Sequence, residues 1–263
     1  MRDAVLGTVL ATEVLKLRRS KATWATLAAM LAAPLGVALF MWIVREPGRA
    51  EQLGLLGTKA DLSGIEATWP AFESFVVVIV GAAGMIVLAF VLAFLFGREY
   101  EEATAKNMLA LPVSRHWFAL AKLLVAALWW AVLVVAVLVE VGVIGAAMRL
   151  PGWSPALGGQ LLGQVGVAAL LAFLLSPVIA WITVATRSAV GAIGFALAML
   201  LLGNVLSQTG WADWFPWSIV FGALGTTGPA ADVSPGGAVV LVLTFAAGVV
   251  GTILQLRWAD NSQ

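Results

Sequence analysis

Six long stretches with almost no charged side chains constrain the fold of this chain more than any other feature. A transmembrane helix needs about 20 consecutive, mostly apolar residues, and each stretch reaches that length. They cover residues 22–44, 74–97, 123–148, 161–185, 188–207 and 238–256. Their apolar residues run continuously rather than alternating with polar ones, which favours helices over a barrel. The sequence therefore predicts an all-α membrane protein with six transmembrane helices.

The overall composition agrees with a lipid environment. Of 263 residues, 62% are hydrophobic and 11% charged, with a mean hydropathy of +1.00. A soluble domain has about a quarter charged residues. The 15 Lys and Arg residues are too scattered to bind nucleic acid. Without cysteine, and with His116 as the single histidine, the chain has neither thiolate ligands nor a pair of imidazoles.

The distribution of basic residues predicts the orientation. If the N-terminus is cytoplasmic, the inner segments carry eleven basic residues and the outer segments four. The eleven are Arg2, Lys16, Arg18, Arg19, Lys21, Arg98, Lys106, Arg115, Lys122, Arg187 and Arg257. The positive-inside rule then places both termini in the cytoplasm, in a multi-pass protein of the cell membrane. We expect residues 1–21 to form an interfacial helix, 22–257 the transmembrane domain and 258–263 a cytoplasmic tail.

The segment before the first span has helical periodicity. Apolar residues from Val5 to Leu17 recur at helical spacing, opposite Arg18 and Arg19, which predicts an amphipathic helix on the inner leaflet. Glu13 lies within the apolar stripe, one turn from Lys16. The two residues either form a simple ion pair along the helix or contact a partner, and the sequence favours neither interpretation.

The loop between the second and third spans, residues 98–122, is long and charged. It contains Arg98, Glu99, Glu101, Glu102, Lys106, Arg115 and Lys122. Glu102 and Lys106 have the i,i+4 order that supports a helix, and Pro112 ends it. We therefore expect a short charged helix, a break and a second helix that enters the third span. A solvated loop is the alternative.

Three further features have predicted roles. Residues 208–237 carry Trp211, Trp214 and Trp217 close together, which indicates an outer re-entrant element. Pro177 removes a backbone hydrogen bond and predicts a kink in the fourth span. Glu140 is the one ionisable residue within the predicted spans. Such residues generally have a function, and we expect it to face other helices rather than lipid.

Two motifs resemble those of ABC-2 type transporter permeases. The family pattern after the second span is E-x-E-x-G-T, then leucines, P-V-S-R and a lysine. The matching residues are Glu99, Glu101, Thr104, Leu109, Leu111, Pro112, Val113, Ser114, Arg115 and Lys122. Ala103 replaces the usual glycine. The family's E-x-x-K-x-x-R-S motif before the first span is similar to residues 13–20 here.

The resemblance implies six helices per subunit, an amphipathic helix before the first and a coupling helix after the second. It also implies two copies of the permease in a four-chain complex with two ATPase subunits. ATP and Mg²⁺ would bind to the ATPase, and this chain would hold no cofactor. The residues expected to couple to the ATPase are Arg98, Glu99, Glu101, Glu102, Thr104 and Lys106.

Other functions fit the sequence less well. The chain has no G-x-x-x-x-G-K-[ST] motif and so is not predicted to hydrolyse ATP. An intramembrane metalloenzyme using Glu101 and Glu102 would need more ligands than His116 supplies. A proton-coupled secondary transporter using Glu140 and a structural or sensor membrane protein remain alternatives. The nearly charge-free spans suit an amphipathic or lipophilic cargo, such as a peptide, drug or lipid.

Overall fold

The structure is a computed structural model that describes residues 2–55, 65–101, 115–226 and 230–258, with side chains from residue 7 onward except that of residue 101. Its helices are α1 (Arg2–Arg18), α2 (Lys21–Arg45), α3 (Pro47–Gln52), α4 (Trp69–Val78), α5 (Gly84–Glu101), α6 (Arg115–Ala147), α7 (Pro155–Thr186), α8 (Ala189–Leu206), α9 (Pro216–Ala223) and α10 (Pro235–Trp258). A π-helical turn, Ile79–Ala83, joins α4 to α5.

The described residues contain six helical stretches that are long and apolar enough to cross a membrane, which confirms the predicted fold class. They are Lys21–Arg45, Trp69–Tyr100, Arg115–Ala147, Pro155–Thr186, Ala189–Leu206 and Pro235–Trp258. Several begin where a hydroxyl side chain accepts a hydrogen bond from the first turn. Ser20, Thr68, Ser154 and Ser188 each cap a helix in this way.

The helices of three spans begin well before their apolar stretches. The second span starts at Trp69 rather than residue 74, the third at Arg115 rather than residue 123, and the fourth at Pro155 rather than residue 161. Hydrophobicity marks the part of a helix in hydrocarbon, whereas the helix itself continues to its cap or break. The longer helices also contain Glu73, Glu99 and Lys122. These three residues lie outside the predicted apolar stretches, and the assignment of Glu140 as the one ionisable residue within those stretches stays a prediction.

The α4–α5 span and α7 form the centre of the bundle, and α7 packs most extensively against α10 and α5. Close contacts depend on glycine. A Cβ atom at Gly248 of α10 would lie 2.5 Å from the backbone nitrogen of Val178, beside Pro177. Because α7 is continuous from Pro155 to Thr186, Pro177 does not interrupt the helix. A kink there remains a prediction.

The segment between α8 and α10 contains the short helix α9. Its residues from Trp217 to Phe221 are buried against α7, α8 and α10, whereas Trp211 and Trp214 are exposed. A Cβ atom at Gly203 of α8 would lie 2.6 Å from the Cβ of Trp217, so this glycine lets α9 pack closely. The helical segment agrees with the predicted re-entrant element, and its depth in a membrane remains a prediction.

Candidate functional site: a buried ionic cluster

Four charged side chains from three helices meet where α1, α5 and α6 come together. Glu13 and Lys16 belong to α1, Glu99 to α5 and Lys122 to α6, and we call these four residues the ionic cluster. The Lys16 Nζ atom lies 2.8 Å from Glu13 Oε1 and 2.9 Å from Glu99 Oε1. The Lys122 Nζ atom lies 2.9 Å from Glu13 Oε2 and 3.0 Å from Glu99 Oε1. Each lysine therefore bridges both carboxylates.

Lys122 is the most completely bonded member of the cluster. Besides the two carboxylates, its ammonium group donates to the carbonyl oxygen of Leu95 at 2.7 Å. An ammonium group has three N–H donors, so all three are used. The side chain is only 3% exposed. A buried lysine in this setting fixes the position of α6 relative to both α1 and α5.

The two carboxylates are also removed from solvent, since Glu13 is 2% exposed and Glu99 5%. Two positive and two negative charges make the cluster neutral overall. Burying ions is expensive unless opposite charges and hydrogen bonds compensate, and removing one partner leaves an uncompensated charge. The Oε2 atom of Glu99 has no hydrogen-bond partner among the described residues. The cluster is therefore sensitive to the loss of any member.

Lys16 is the member nearest to solvent, with 35% of its side chain exposed. Burial lowers the pKa of its ammonium group, but hydrogen bonds and charge attraction from Glu13 and Glu99 outweigh burial. The pKa of Lys16 is consequently raised above the ordinary value of 10.5. Lys16 therefore stays protonated throughout the neutral pH range.

Short-range contacts hold α1 in the orientation that the cluster requires. Leu17 is buried, and its carbonyl oxygen accepts hydrogen bonds from the hydroxyl of Thr23 and from the backbone nitrogen of Ser20. Farther along α2, the hydroxyl of Thr26 accepts a hydrogen bond from the indole of Trp129 on α6 at 3.1 Å. The tight α1–α2 junction and this link from α2 to α6 place Glu13 beside Lys122.

The sequence carries a recognised family pattern that includes this cluster. The pattern of a family described as "ABC-2 family transporter protein" matches residues 9–203, which covers all four charged residues. The chain belongs to the ABC-2 transporter family. The family resemblance found in the sequence is therefore confirmed, and this protein is a membrane subunit of the ABC-2 transporter type.

One relative is similar to this chain over about half of the chain's length. The bacitracin transport permease protein BCRB of Bacillus licheniformis is 30% identical over 139 residues. The aligned part covers 52% of this chain and 66% of the relative. The chain thus spans just under two thirds of the relative it matches.

The structure assigns Glu99 a different environment from the one predicted for an ATPase contact. Its carboxylate is buried and paired with Lys16 and Lys122 within the chain, and its role in ATPase coupling stays a prediction. Glu99 continues the buried face formed by Leu88, Leu92 and Leu95, at the spacing of a helix. The sequence-based assignment placed the end of the helix at Gly97 and therefore missed this continuation.

Glu13 and Lys16 make more contacts than a simple ion pair along one helix. They do form an i,i+3 ion pair along α1, but each also bonds to a second helix of the same chain. Lys122 was predicted as a basic residue of the inner loop and as the lysine of the family motif, and neither prediction gave it partners. The sequence did contain a signal for the cluster. Two carboxylates and two amines, Glu13, Glu99, Lys16 and Lys122, occur next to apolar stretches that carry few other charges.

The other predicted coupling residues are less fully described. Arg98 is half-buried, with its guanidinium carbon 5.9 Å from the centre of the Phe94 ring. Glu101 is the last residue of α5, and Glu102, Thr104 and Lys106 lie outside the described residues. Beyond that gap, Arg115 donates to the carbonyl oxygens of Leu256 and Arg257 at 2.7 and 3.0 Å. This contact joins the start of α6 to the end of α10.

Glu140 is half-buried on α6, and its Oε2 atom has no hydrogen-bond partner among the described residues. Glu73 of α4, which the sequence-based assignment left one residue outside the second span, is 3% exposed. Neither of its carboxylate oxygens has a partner in the described part of the chain. These two acidic residues are well separated in sequence from the ionic cluster.

Proposed function

We propose that this ABC-2 subunit is the permease of an ATP-driven exporter. Two copies would form the path for an amphipathic or lipophilic cargo, and two separate ATPase subunits would supply the energy. The observation that carries the coupling mechanism is the ionic cluster. It joins the helix that precedes the predicted coupling segment to two other helices of the bundle.

Coupling requires a rigid element that touches both the ATPase and the membrane helices. We assign this role to residues 98–111, which begin in the last turn of α5 and belong to the long loop predicted on the cytoplasmic side. Since α5 is continuous from Gly84 to Glu101, a displacement of its end is passed along the helix. The ionic cluster would transfer the same displacement to α1 and α6.

Glu99 and its neighbours would have different roles in coupling the ATPase to the membrane helices. Glu99 would hold the joint inside the permease, as its burial and two lysine partners favour. Glu101, Glu102 and Lys106, together with Arg98 and Thr104, would contact the ATPase. Charges at a partly desolvated interface affect both partner choice and affinity.

The cargo class follows from the apolar spans and from the relative. Because that relative is named for bacitracin transport, bacitracin is the first compound to test. The basic-residue bias favours a cytoplasmic position for both termini, and the cluster end of the bundle would then face the ATPase. Accessibility of a tag after residue 263 in sealed cells tests this orientation, and an exported tag would contradict it.

Co-purification with the ATPase tests the proposed function most simply. The double variant Glu101→Ala/Glu102→Ala should insert normally in the membrane yet retain less ATPase on the tagged permease. The matched control is Glu46→Ala/Glu51→Ala, which removes two exposed carboxylates at the opposite end of the bundle. Full ATPase retention and normal export by the first variant would contradict the assignment of residues 98–111.

A further inference from the structure

A groove between α4, α7 and the chain around α9 lies at the end of the bundle opposite the ionic cluster, and we call it the α4–α7 groove. It encloses about 680 Å³, a volume typical of small-molecule sites in proteins. Both helices begin at this end, because the backbone nitrogen of Trp69 donates to the carbonyl oxygen of Pro151 at 2.9 Å. Glu99 of the ionic cluster lies at the other end of the α4–α5 span. The groove is therefore remote from the predicted coupling segment.

One face of α7 forms the longest wall of the groove. Its lining residues recur at intervals of three and four, which places them on a single helix face. They are Gln160, Gly163, Gln164, Val167, Ala168 and Leu171. A Cβ atom added at Gly163 would meet no other atom within 4 Å. This glycine therefore leaves open space beside the two glutamines.

Two other elements complete the groove. Ser74 and Val77 of α4 line the second wall, and the end of α9 together with residues 230–233 lines the third. The backbone nitrogen of Ala231 donates to the carbonyl oxygen of Gly222 at 3.1 Å, which holds this segment against α9. Asp232 follows on the same segment and is exposed. Polar and apolar side chains from separate elements thus line one shared space.

The two glutamines are unusual for a helix that is apolar enough to cross a membrane. Both are exposed, and Gln164 lies about 14 Å along α7 from its first residue, inside the predicted apolar stretch. An amide side chain that faced acyl chains would have no hydrogen-bond partner, which is strongly unfavourable. Gln160 and Gln164 are therefore suited to a groove that contains water or a polar ligand rather than lipid tails.

The side chains of the groove narrow the choice of ligand. A glutamine amide has both N–H donors and a carbonyl acceptor, the same two groups that a peptide bond offers. Asp232 is the one charged residue among the described residues that line the groove, so the groove disfavours an anion. Val167 and Leu171 extend the wall by one and two turns beyond Gln164. The lining suits an amphipathic molecule that carries amide groups and no negative charge.

We propose that the α4–α7 groove binds a neutral or cationic amphipathic peptide. Gln160 and Gln164 would exchange hydrogen bonds with its amide groups, and Asp232 would attract a basic group. The apolar part would extend along Val167 and Leu171. This inference rests on the proposed function, because it takes the peptide to be the transported cargo. It narrows the cargo from a peptide, drug or lipid to a peptide.

Water access to the groove is tested first, and the absence of cysteine from the chain makes this simple. In nanodiscs of phosphatidylcholine, Gly163→Cys should react with a charged maleimide, because thiolates form in water. The control is Leu162→Cys, at the same depth but on the opposite face of α7, where the leucine is 59% exposed; it should stay unlabelled. No labelling of Gly163→Cys, or equal labelling of both variants, would overturn the proposal. Disulfide-linked dimers of Gly163→Cys would overturn it too, because a second copy would then occupy the groove.

Protection of Gly163→Cys from the maleimide then measures binding without the ATPase. The probe is N-dodecanoyl-triglycine amide, and N-dodecanoyl-triglycine is its anionic counterpart. The neutral probe should protect saturably and at lower concentration than the anion. Addition of Gln160→Leu/Gln164→Leu should raise the half-protecting concentration about tenfold, since hydrogen bonds to the peptide are lost. Gln164→Leu alone should give a smaller increase and serves if the double variant does not assemble.

The matched control is Gln52→Leu/Gln208→Leu, which removes two exposed amides outside the groove and should leave protection unchanged. Equal protection by the two compounds, or unchanged protection in the groove variants, would overturn the proposal. ATPase association and export are measured separately on the same proteins. A permease that exports with its ATPase but fails the protection test would overturn this inference alone. A chain that binds the probe yet associates with no ATPase would instead contradict the proposed function.

Discussion

The four residues of the ionic cluster and the two glutamates Glu73 and Glu140 all lie in apolar helices, yet their surroundings differ in kind. In the cluster, two lysines bridge two glutamates through four contacts of 2.8–3.0 Å. Glu73 and Glu140 have three buried carboxylate oxygens without a partner among the described residues, whereas the cluster has one, Oε2 of Glu99. A balanced set of charges fixes helices to one another, and removing one member leaves an uncompensated charge. The comparison therefore separates carboxylates that hold helices together from carboxylates with no such contact among the described residues.

Removal of Lys122 should have the largest effect on stability. Lys122→Met leaves two buried carboxylates with only Lys16 to compensate them, and it also removes the bond to the Leu95 carbonyl oxygen. We expect a loss of about 3–5 kcal/mol, the usual cost of breaking a buried ion pair from one side. Thermal unfolding of the purified protein in detergent measures it. Lys21→Met, which removes an exposed lysine, should cause little change, and an equal effect of the two variants would contradict a joint at the cluster.

Removing a lysine and a glutamate together should be less harmful than removing the lysine alone. In Glu13→Gln/Lys122→Met the remaining pair, Lys16 and Glu99, is again neutral and still in contact at 2.9 Å. We expect the double variant to recover roughly 1–2 kcal/mol relative to Lys122→Met, because residues in one network are not additive. The same unfolding assay applies. A double variant that loses the sum of both single effects would show that the charges act independently.

The glutamates themselves allow a direct comparison of the two regions, because Glu73 and Glu99 are similarly buried. Glu99→Gln disrupts contacts to two lysines and should destabilise the protein. Glu73→Gln breaks no contact among the described residues and should change the unfolding free energy by less than about 1 kcal/mol. Parallel denaturation of the two variants tests this difference. Greater destabilisation from Glu73→Gln would indicate that Glu73 is a structural residue.

The smallest expected effect concerns the pH dependence of Lys16. Its pKa is raised in the folded state above 10.5, so its contribution to stability is fully present below that value and is lost as pH rises through the higher, folded-state pKa. Wild-type protein and Lys16→Met should therefore differ by a constant amount near neutral pH and converge at strongly alkaline pH. Unfolding midpoints across this range test the prediction, and a difference that grows with pH would contradict it.

The sequence predicts the architecture well because lipid imposes a simple requirement. Six apolar stretches identify the six spanning helices, and the helix α9 lies within the segment predicted to be re-entrant. Helix ends are less predictable, since hydrophobicity reports the hydrocarbon region and capping residues determine where a helix starts. That difference concealed Glu73, which lies one turn inside α4, and Lys122, which lies two turns inside α6.

The candidate site is only partly visible in the sequence. The Glu13–Lys16 ion pair is one of the two interpretations that the sequence leaves open, and the cluster also joins residues 83 and 109 positions apart. Such contacts depend on how α1, α5 and α6 pack, and nothing in the local pattern of Glu99 distinguishes an internal pair from a contact with a partner. The predicted roles of Glu102, Thr104 and Lys106 concern residues outside the described part of the chain.

The most direct test of the account compares ATP hydrolysis with export in proteoliposomes that contain this permease and its ATPase. Lys16→Met removes one bridge between α1 and α5 at the partly exposed edge of the cluster, leaving Lys122 and both carboxylates in place. The account predicts that ATP hydrolysis continues while the amount of cargo exported per ATP falls, because motion of α5 is passed less completely to α1. An unchanged ratio of export to hydrolysis in a correctly assembled Lys16→Met complex would contradict the proposal that the ionic cluster transmits the motion.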